Sequence, residues 1–197
     1  MPFFMSKKVD IRTLSSDELK SFLNENGESA FRYKQIEQWL WQKQAQSFND
    51  MSNISLSLRE KLEDAFSIIP SEVLLSQKSN DGTIKIAFKL FDNAKVEGVI
   101  IPTEDRYTAC VSTQVGCSLD CRFCATGYLK KVRNMFAHEI VEQVYHLNTV
   151  CEESFGKRLT NIVYMGMGEP LLNYKNVIRS VNMISNKEGL GFSPKII

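Results

Sequence analysis

The run Cys117-Ser-Leu-Asp-Cys121-Arg-Phe-Cys124 constrains this chain more than any other feature. Three thiols fall within eight residues, with no fourth cysteine close by. Such a C-x₃-C-x₂-C hook suits three corners of a cubane [4Fe–4S] cluster and leaves one iron without a protein ligand, whereas ordinary electron-transfer clusters are held by four cysteines. An open iron is a position where a small molecule can bind. Coordination also keeps the thiols deprotonated, which makes them ligands rather than nucleophiles. Zinc is the competing reading, but it calls for a fourth Cys or His and is more often held by paired C-x₂-C hooks. Only one C-x₂-C pair is present, and His138 and His146 lie beyond the loop in a segment with a helical pattern.

The five cysteines suit a reducing compartment and a metal site better than a disulfide framework. A hydrophobic content of 43% with 24% charged residues is ordinary for a globular chain. A net charge of +1 announces no bulk polycation for nucleic acid. No apolar run approaches a membrane span. Met1-Pro-Phe-Phe-Met lacks the long apolar core of a signal peptide, so the expected location is the cytoplasm, with no membrane partner.

Residues 1–70 read as a helical module. Ser15-Ser-Asp-Glu18 is a capping-box pattern, followed by Leu19, Phe22 and Leu23 at helical spacing. A second helix is expected from Tyr33 to about Gln44, and a third from Ser57 to Phe66, ended by Pro70. Trp39 and Trp41 are expected as core anchors. Residues 71–104 change to a β-meander. Strands run from Val73 to Lys78, Ile84 to Lys89 and Val96 to Ile101, with turns at Asn80-Asp81-Gly82 and Asp92-Asn93. Residues 105–197 then alternate. Strands at Tyr107–Ser112, Asn161–Met165 and Pro194–Ile197 are separated by helices at Glu139–Cys151 and Tyr174–Asn186, the pattern of parallel strands with covering helices.

With Phe123 just before its last cysteine, the hook resembles the radical S-adenosylmethionine (SAM) signature. Three further segments narrow the likeness: Phe31-Arg-Tyr-Lys-Gln-Ile-Glu-Gln-Trp-Leu-Trp41, Cys110-Val-Ser-Thr-Gln-Val-Gly-Cys117 and Tyr164-Met-Gly-Met-Gly-Glu-Pro-Leu171. Together they are similar to the RlmN-type RNA methyltransferases, which methylate carbon 2 of an adenine in 23S rRNA and in certain tRNAs. The resemblance implies an α/β fold. Its catalytic part would be a partial radical SAM (β/α)₆ barrel, preceded by a small helical module and a β-meander. It implies a [4Fe–4S] cluster on Cys117, Cys121 and Cys124, and SAM cleaved there to a 5′-deoxyadenosyl radical. Gly168, Glu169 and Phe123 are assigned to SAM binding, and Glu169 can pair with its amine. Two SAM molecules are used: one methylates a cysteine outside this chain, and the other yields the radical that activates that methyl for addition to the base. Glu97 then removes the adenine proton, and Cys110 frees the product by forming a disulfide with the methyl-carrying cysteine. An electron-donor protein such as flavodoxin or ferredoxin is implied, as is a monomer at full length.

The residues themselves leave other readings open. Glu97 fits a solvated strand position, although burial would bring its carboxyl toward a useful range for proton transfer. Cys110 and Cys151 fit small buried residues. The Gly166–Glu169 turn fits a structural turn or one whose glycines let the backbone approach a ligand. Arg122, Lys130, Lys131 and Arg133, interleaved with Phe123 and Tyr128, form a basic aromatic patch suited to RNA. Only two βα units and the start of a third are present, which cannot close a six-stranded barrel and would leave a long unpaired apolar edge. The chain is therefore expected to correspond to the N-terminal portion of a longer enzyme and to be inactive alone. The related adenine carbon-8 methyltransferases of the resistance type, or a non-catalytic truncated fragment, are the alternatives.

Overall fold

A computed structural model describes residues 8–119 and 121–197. The Met1–Met5 segment lies outside the described residues. The chain divides after Ile69 into two compact units.

In the first unit, α1 (Ser16–Glu25) starts on the predicted capping box. Ser15 Oγ accepts the Glu18 N–H at 3.2 Å, and a Glu18 carboxylate oxygen accepts the Ser15 N–H at 2.7 Å. A cap of this kind contributes about 1 kcal/mol. Leu19 and Leu23 of α1 are buried, as are Ile36 of α2 (Phe31–Glu37), which α1 contacts, and Leu58 and Leu62 of α3 (Leu56–Ala65). The expected single helix to Gln44 does not form. After Glu37 the backbone widens into a π-turn over Gln38–Gln42, in which the Lys43 N–H donates to the Gln38 carbonyl five residues back at 3.1 Å. The wider turn lets adjacent Leu40 and Trp41 both enter the core. Trp39 is not the core anchor expected: it stays half-buried, donates its indole N–H to Asn53, and lies under the Lys43 ammonium, 3.8 Å from the ring centroid. The third helix also stops earlier than predicted. Phe66 enters β2 (Phe66–Ser67), which pairs in parallel with β1 (Val9–Asp10).

The second unit is built on β3 (Glu72–Lys78), β4 (Ile84–Lys89), β5 (Lys95–Pro102), β6 (Tyr107–Cys110), the short pair β7 (Gln114–Val115) and β8 (Arg133–Asn134), and β9 (Asn161–Val163). The main sheet has five strands in the order β3-β4-β5-β6-β9. The meander strands are antiparallel, β6 is antiparallel to β5, and β9 is parallel to β6. One face carries Ile84, Ile86, Phe88, Val96, Ile100 and Ala109, all buried. It is covered by α4 (Ala137–Phe155), with α5 (Tyr174–Ser185) packed beside that helix. Gly98 fixes how near α4 comes, because a Cβ there would lie 3.1 Å from Leu147 Cδ1 and from Phe88 Cε2. The other face carries Lys85, Ala87, Glu97, Val99 and Cys110, an arrangement antiparallel strands tolerate because one side can stay solvated. Every residue of β3 is exposed, and a bulge interrupts its pairing between Val73 and Leu75.

Two strand expectations are corrected. The strand predicted to reach Ser112 ends at Cys110. Pro194–Ile196 is a 3₁₀ turn rather than a strand, because Pro194 offers no N–H to a ladder and Ser193 Oγ instead accepts the Lys195 N–H. The free edge at β9 spans only Asn161–Val163, much shorter than expected. Among the described residues, no helix is long and apolar enough to cross a membrane.

Candidate functional site

Parallel pairing of β6 with β9 sends the loops that follow them to the same end of the sheet. After β6 the chain passes through Val111–Val115 into the cysteine loop; after β9 it makes the Gly166–Glu169 turn. These two segments are stitched together backbone to backbone. Gly166 N–H donates to Val111 O at 3.0 Å, Thr113 N–H to Met167 O at 2.9 Å, and Glu169 N–H to the Gln114 side-chain carbonyl at 2.9 Å. Both glycines are required by this contact. A Cβ at Gly166 would lie 2.7 Å from the Val111 carbonyl, and one at Gly168, where φ is +91°, would lie 2.4 Å from Gln114 Cβ. The close approach they permit is thus to the protein's own chain. The Glu169 carboxylate accepts the Leu171 N–H at 3.0 Å and starts the following 3₁₀ turn.

Three side-chain amides hold Val111–Val115 where the ladder no longer does. Gln143 of α4 pairs with the Ser112 backbone, donating to its carbonyl and accepting its N–H, both at 3.0 Å. Asn173 donates to Thr113 O and Met135 O, both at 2.8 Å. Gln114 donates to Asn134 at 2.8 Å. Sequence reasoning missed all of these residues. The signal was the polar run Ser112-Thr-Gln114 directly after an apolar strand, and a glutamine among the apolar positions of α4.

The cysteine loop is pinched at its neck by β7 and β8, with a further bridge between Cys117 and Lys130. Gly116, at φ +73°, makes the neck possible, since a Cβ there would sit 2.2 Å from Lys130 O. Cys117, Cys121 and Cys124 are free thiols, each half-buried. Among the described residues, no three His, Cys, Asp or Glu groups converge closely enough to hold a metal ion. The loop's chemistry nevertheless fits thiolate ligation. Backbone N–H groups of Thr126 and Gly127 lower the Cys124 thiol from its ordinary value, and Cys117 Sγ accepts the Leu119 N–H at 3.4 Å. Hydrogen bonds of this kind to cysteine sulfur tune iron–sulfur clusters.

Glu97 and Cys110 share the solvated face of the sheet. Val99 pairs with Cys110, which puts Glu97, two residues before Val99, on the same side as a diagonal neighbour. Glu97 takes the solvated strand position, not the buried one. Its carboxylate is half exposed and lies 3.3 Å from the Lys85 ammonium. Burial raises the Cys110 thiol, partly offset by a hydrogen bond from the Met165 backbone.

The basic aromatic patch is only partly as expected. Phe123 and Tyr128 are 92% and 82% exposed, and Arg122, Lys130 and Lys131 are exposed. Arg133 is not a free cation. It donates to Asp92 at 2.6 and 3.1 Å and to both Glu139 oxygens at 2.8 Å, and lies over the Phe91 and Phe136 rings. Both carboxylates favour its charged form against the opposing effect of burial. Tyr164 is half-buried and shares a hydrogen bond with Ser180 at 2.9 Å; burial pushes its phenol up to about 12 against the effect of that bond, so it remains neutral. Cys151 is a core residue, with burial pushing its thiol up to about 11. His146 is half-buried near the Phe88 ring, and this partial burial lowers its pKa.

Comparison with known proteins agrees with the motif resemblance. The family described as the ribosomal RNA large subunit methyltransferase N-terminal domain matches residues 9–68. A curated relative from Cytophaga hutchinsonii, named a probable dual-specificity RNA methyltransferase RlmN, is 51% identical over 97% of this chain and 52% of its own length. The dual-specificity RNA methyltransferase RlmN of Syntrophus aciditrophicus is 41% identical over 96% of this chain and 54% of its own. The crystal structure of a radical SAM methyltransferase from Sphaerobacter thermophilus superimposes with a TM-score of 0.82 at 36% identity, covering 96% of this chain and 55% of that one. This chain is thus related to RlmN methyltransferases along nearly all its described length, and it spans about half the length of the curated relatives it matches.

Proposed function

We propose that this chain supplies the cluster-binding and part of the catalytic portion of a radical SAM methyltransferase that modifies carbon 2 of adenine in 23S rRNA and tRNA. The observation that carries the reading is the shared face: Glu97 and Cys110 are diagonal neighbours on the solvated side of the sheet. The strand bearing Cys110 leads directly toward the cysteine loop, and its parallel partner leads into the glycine turn. In open and closed α/β sheets alike, reactive groups gather at this end of the strands.

Cys117, Cys121 and Cys124 would hold a [4Fe–4S] cluster, which when bound supplies the electron for SAM cleavage. The remaining roles belong to side chains of this chain. Glu169 and Gly168 border the SAM amine. The Glu97 carboxylate, open to solvent on the strand face, takes the proton from adenine carbon 2. The Cys110 thiolate attacks the sulfur tethering the RNA; a new S–S bond forms, the carbon–sulfur bond breaks with its electron pair left on the base's carbon, and that carbon takes a proton from solvent to become the methyl group as the modified base leaves. Exposed Phe123 and Tyr128 offer stacking surfaces, with Lys130 and Lys131 for phosphates. The reductant is an electron-donor protein of the flavodoxin or ferredoxin type, and the reaction is assigned to a monomer of the relatives' length. The cytoplasm, where 23S rRNA and tRNA are found, is the proposed location.

Two measurements test the reading. Anaerobic reconstitution is expected to load about four irons per chain, lost on replacing Cys117, Cys121 or Cys124 by Ala. In a chain of the relatives' length, Glu97→Gln is expected to accumulate a covalent protein–RNA adduct with loss of 2-methyladenosine by mass spectrometry. Stoichiometric zinc in place of iron, or unchanged product from Glu97→Gln, defeats it.

A further inference from the structure

Ser112 occupies an unusual place in the ladder. Extending the β5–β6 register two pairs past Val99–Cys110 sets Ser112 opposite Glu97. Its backbone, however, has left the sheet for the Gln143 amide. Its side chain makes the missing link instead. Ser112 Oγ donates to the Glu97 carbonyl at 2.6 Å and accepts the Met167 N–H at 2.8 Å. The direction of this chain is fixed by chemistry. A backbone N–H can only donate and a carbonyl can only accept, so the single hydroxyl proton must point at Glu97. Ser112 is fully buried, so no water replaces either bond. Bonds linked in this way strengthen one another, and loss of one weakens the next.

We infer that Ser112 is a positioning residue that relays order from the Gly166–Glu169 turn to the segment of β5 bearing Glu97. The relay rests on the proposed function only for its purpose, since the turn is where SAM is assigned and Glu97 is the assigned base. When the turn is held in place, the Met167 N–H polarises the hydroxyl and tightens its grip on the Glu97 carbonyl. When the turn is loose, the base-bearing strand end loses that support. Gln143 serves the same relay by keeping the Ser112 backbone off the ladder, so that the hydroxyl faces both partners.

Amide hydrogen exchange on the 197-residue chain tests the relay without activity. Ser112→Ala, and the nearly isosteric Ser112→Cys should the first variant fold poorly, are expected to speed exchange at Met167 by about ten-fold. Residues 96–98 of β5 should loosen with it, while β3 and β4 stay unchanged. Ser112→Thr, which keeps the hydroxyl, should restore slow exchange. Unchanged exchange at Met167, or equal acceleration over the whole unit from residue 70 onward, overturns the inference. A second arm adds SAM to iron-loaded wild type. Slower exchange is expected at 166–169 and at 96–98 together, and at 166–169 alone in Ser112→Ala. Slowing of the turn without β5 in wild type also overturns the relay. No slowing at 166–169 counts against the assigned SAM site, and the first arm then decides the relay by itself.

Discussion

Arg133 is the residue whose loss should be felt most, and the geometry sets the size. Glu139 is almost entirely enclosed, 3% exposed at its side chain, and both its oxygens accept from Arg133 at 2.8 Å. It also accepts the Phe136 N–H at 2.8 Å, at the start of α4. Replacing Arg133 by Met keeps much of the stem but strands the Glu139 charge. Breaking one side of such a buried pair costs about 3 kcal/mol or more. Asp92 is the outer partner, 27% exposed, and losing it should cost nearer 1 kcal/mol because solvent screens it. For a domain of this size, 3 kcal/mol lowers the melting temperature by about 10 °C. The assay is calorimetry on Arg133→Met, Glu139→Gln and the double variant. The double variant should recover part of the loss, since it no longer buries an unpaired charge. A pH arm checks the sign. Arg133's hydrogen bond holds the Asp92 carboxyl below its usual value, with burial opposing and the Ala94 N–H assisting. The stability it contributes is present above the unfolded pKa near 4 and is lost as pH falls through the lower folded value. Arg133→Met should therefore flatten the acid limb of the stability curve. A shift under 2 °C for Arg133→Met, or a double variant as unstable as the two singles summed, refutes the reasoning.

Two further outcomes are expected. In metal-free protein at pH 8, Cys124, lowered by its backbone donors, should be alkylated faster than Cys110 and far faster than Cys151, both raised by burial; raising the pH should narrow the gap as the raised thiols ionise, and equal rates would contradict these surroundings. Gly168→Ala should destabilise the unit by about 2 kcal/mol or more in chemical denaturation, because a Cβ there collides with Gln114 at a left-handed backbone position; a neutral effect would mean that the turn is not packed as described.

What could be read before the fold was known followed from local chemistry. Ser15 and Glu18 announce a helix start within four residues, and alternation from Ile84 to Phe88 announces a half-buried strand. The cysteine spacing is equally local. What stayed hidden depends on partners far apart in the chain. Arg133 looked like one cation among four because its acid Asp92 lies 41 residues earlier. Glu97 fitted a solvated strand position from the sequence, but its partner did not show there: Lys85 sits on the neighbouring strand, twelve residues earlier. Gln143 and Asn173 drew no reading from the sequence. Their job, replacing a strand partner for a stretch of backbone that has left the sheet, leaves no trace in periodicity.

The bulge at the outermost strand has a consequence for how the molecule behaves in company. β3 exposes Val73, Leu74 and Leu75 at an open edge, the kind of strip onto which a strand from another molecule could add. The break in pairing between Val73 and Leu75 puts a kink in that edge, so an incoming strand cannot keep a straight ladder across the apolar stretch. Glu72, bridged to Lys89, guards one end and Lys78 the other. A charged newcomer of like pattern is repelled at low salt and meets an irregular template at high salt. Concentrated solutions of the protein should therefore stay monodisperse for as long as that kink is kept, and straightening it would turn a quiet edge into a seed for aggregation.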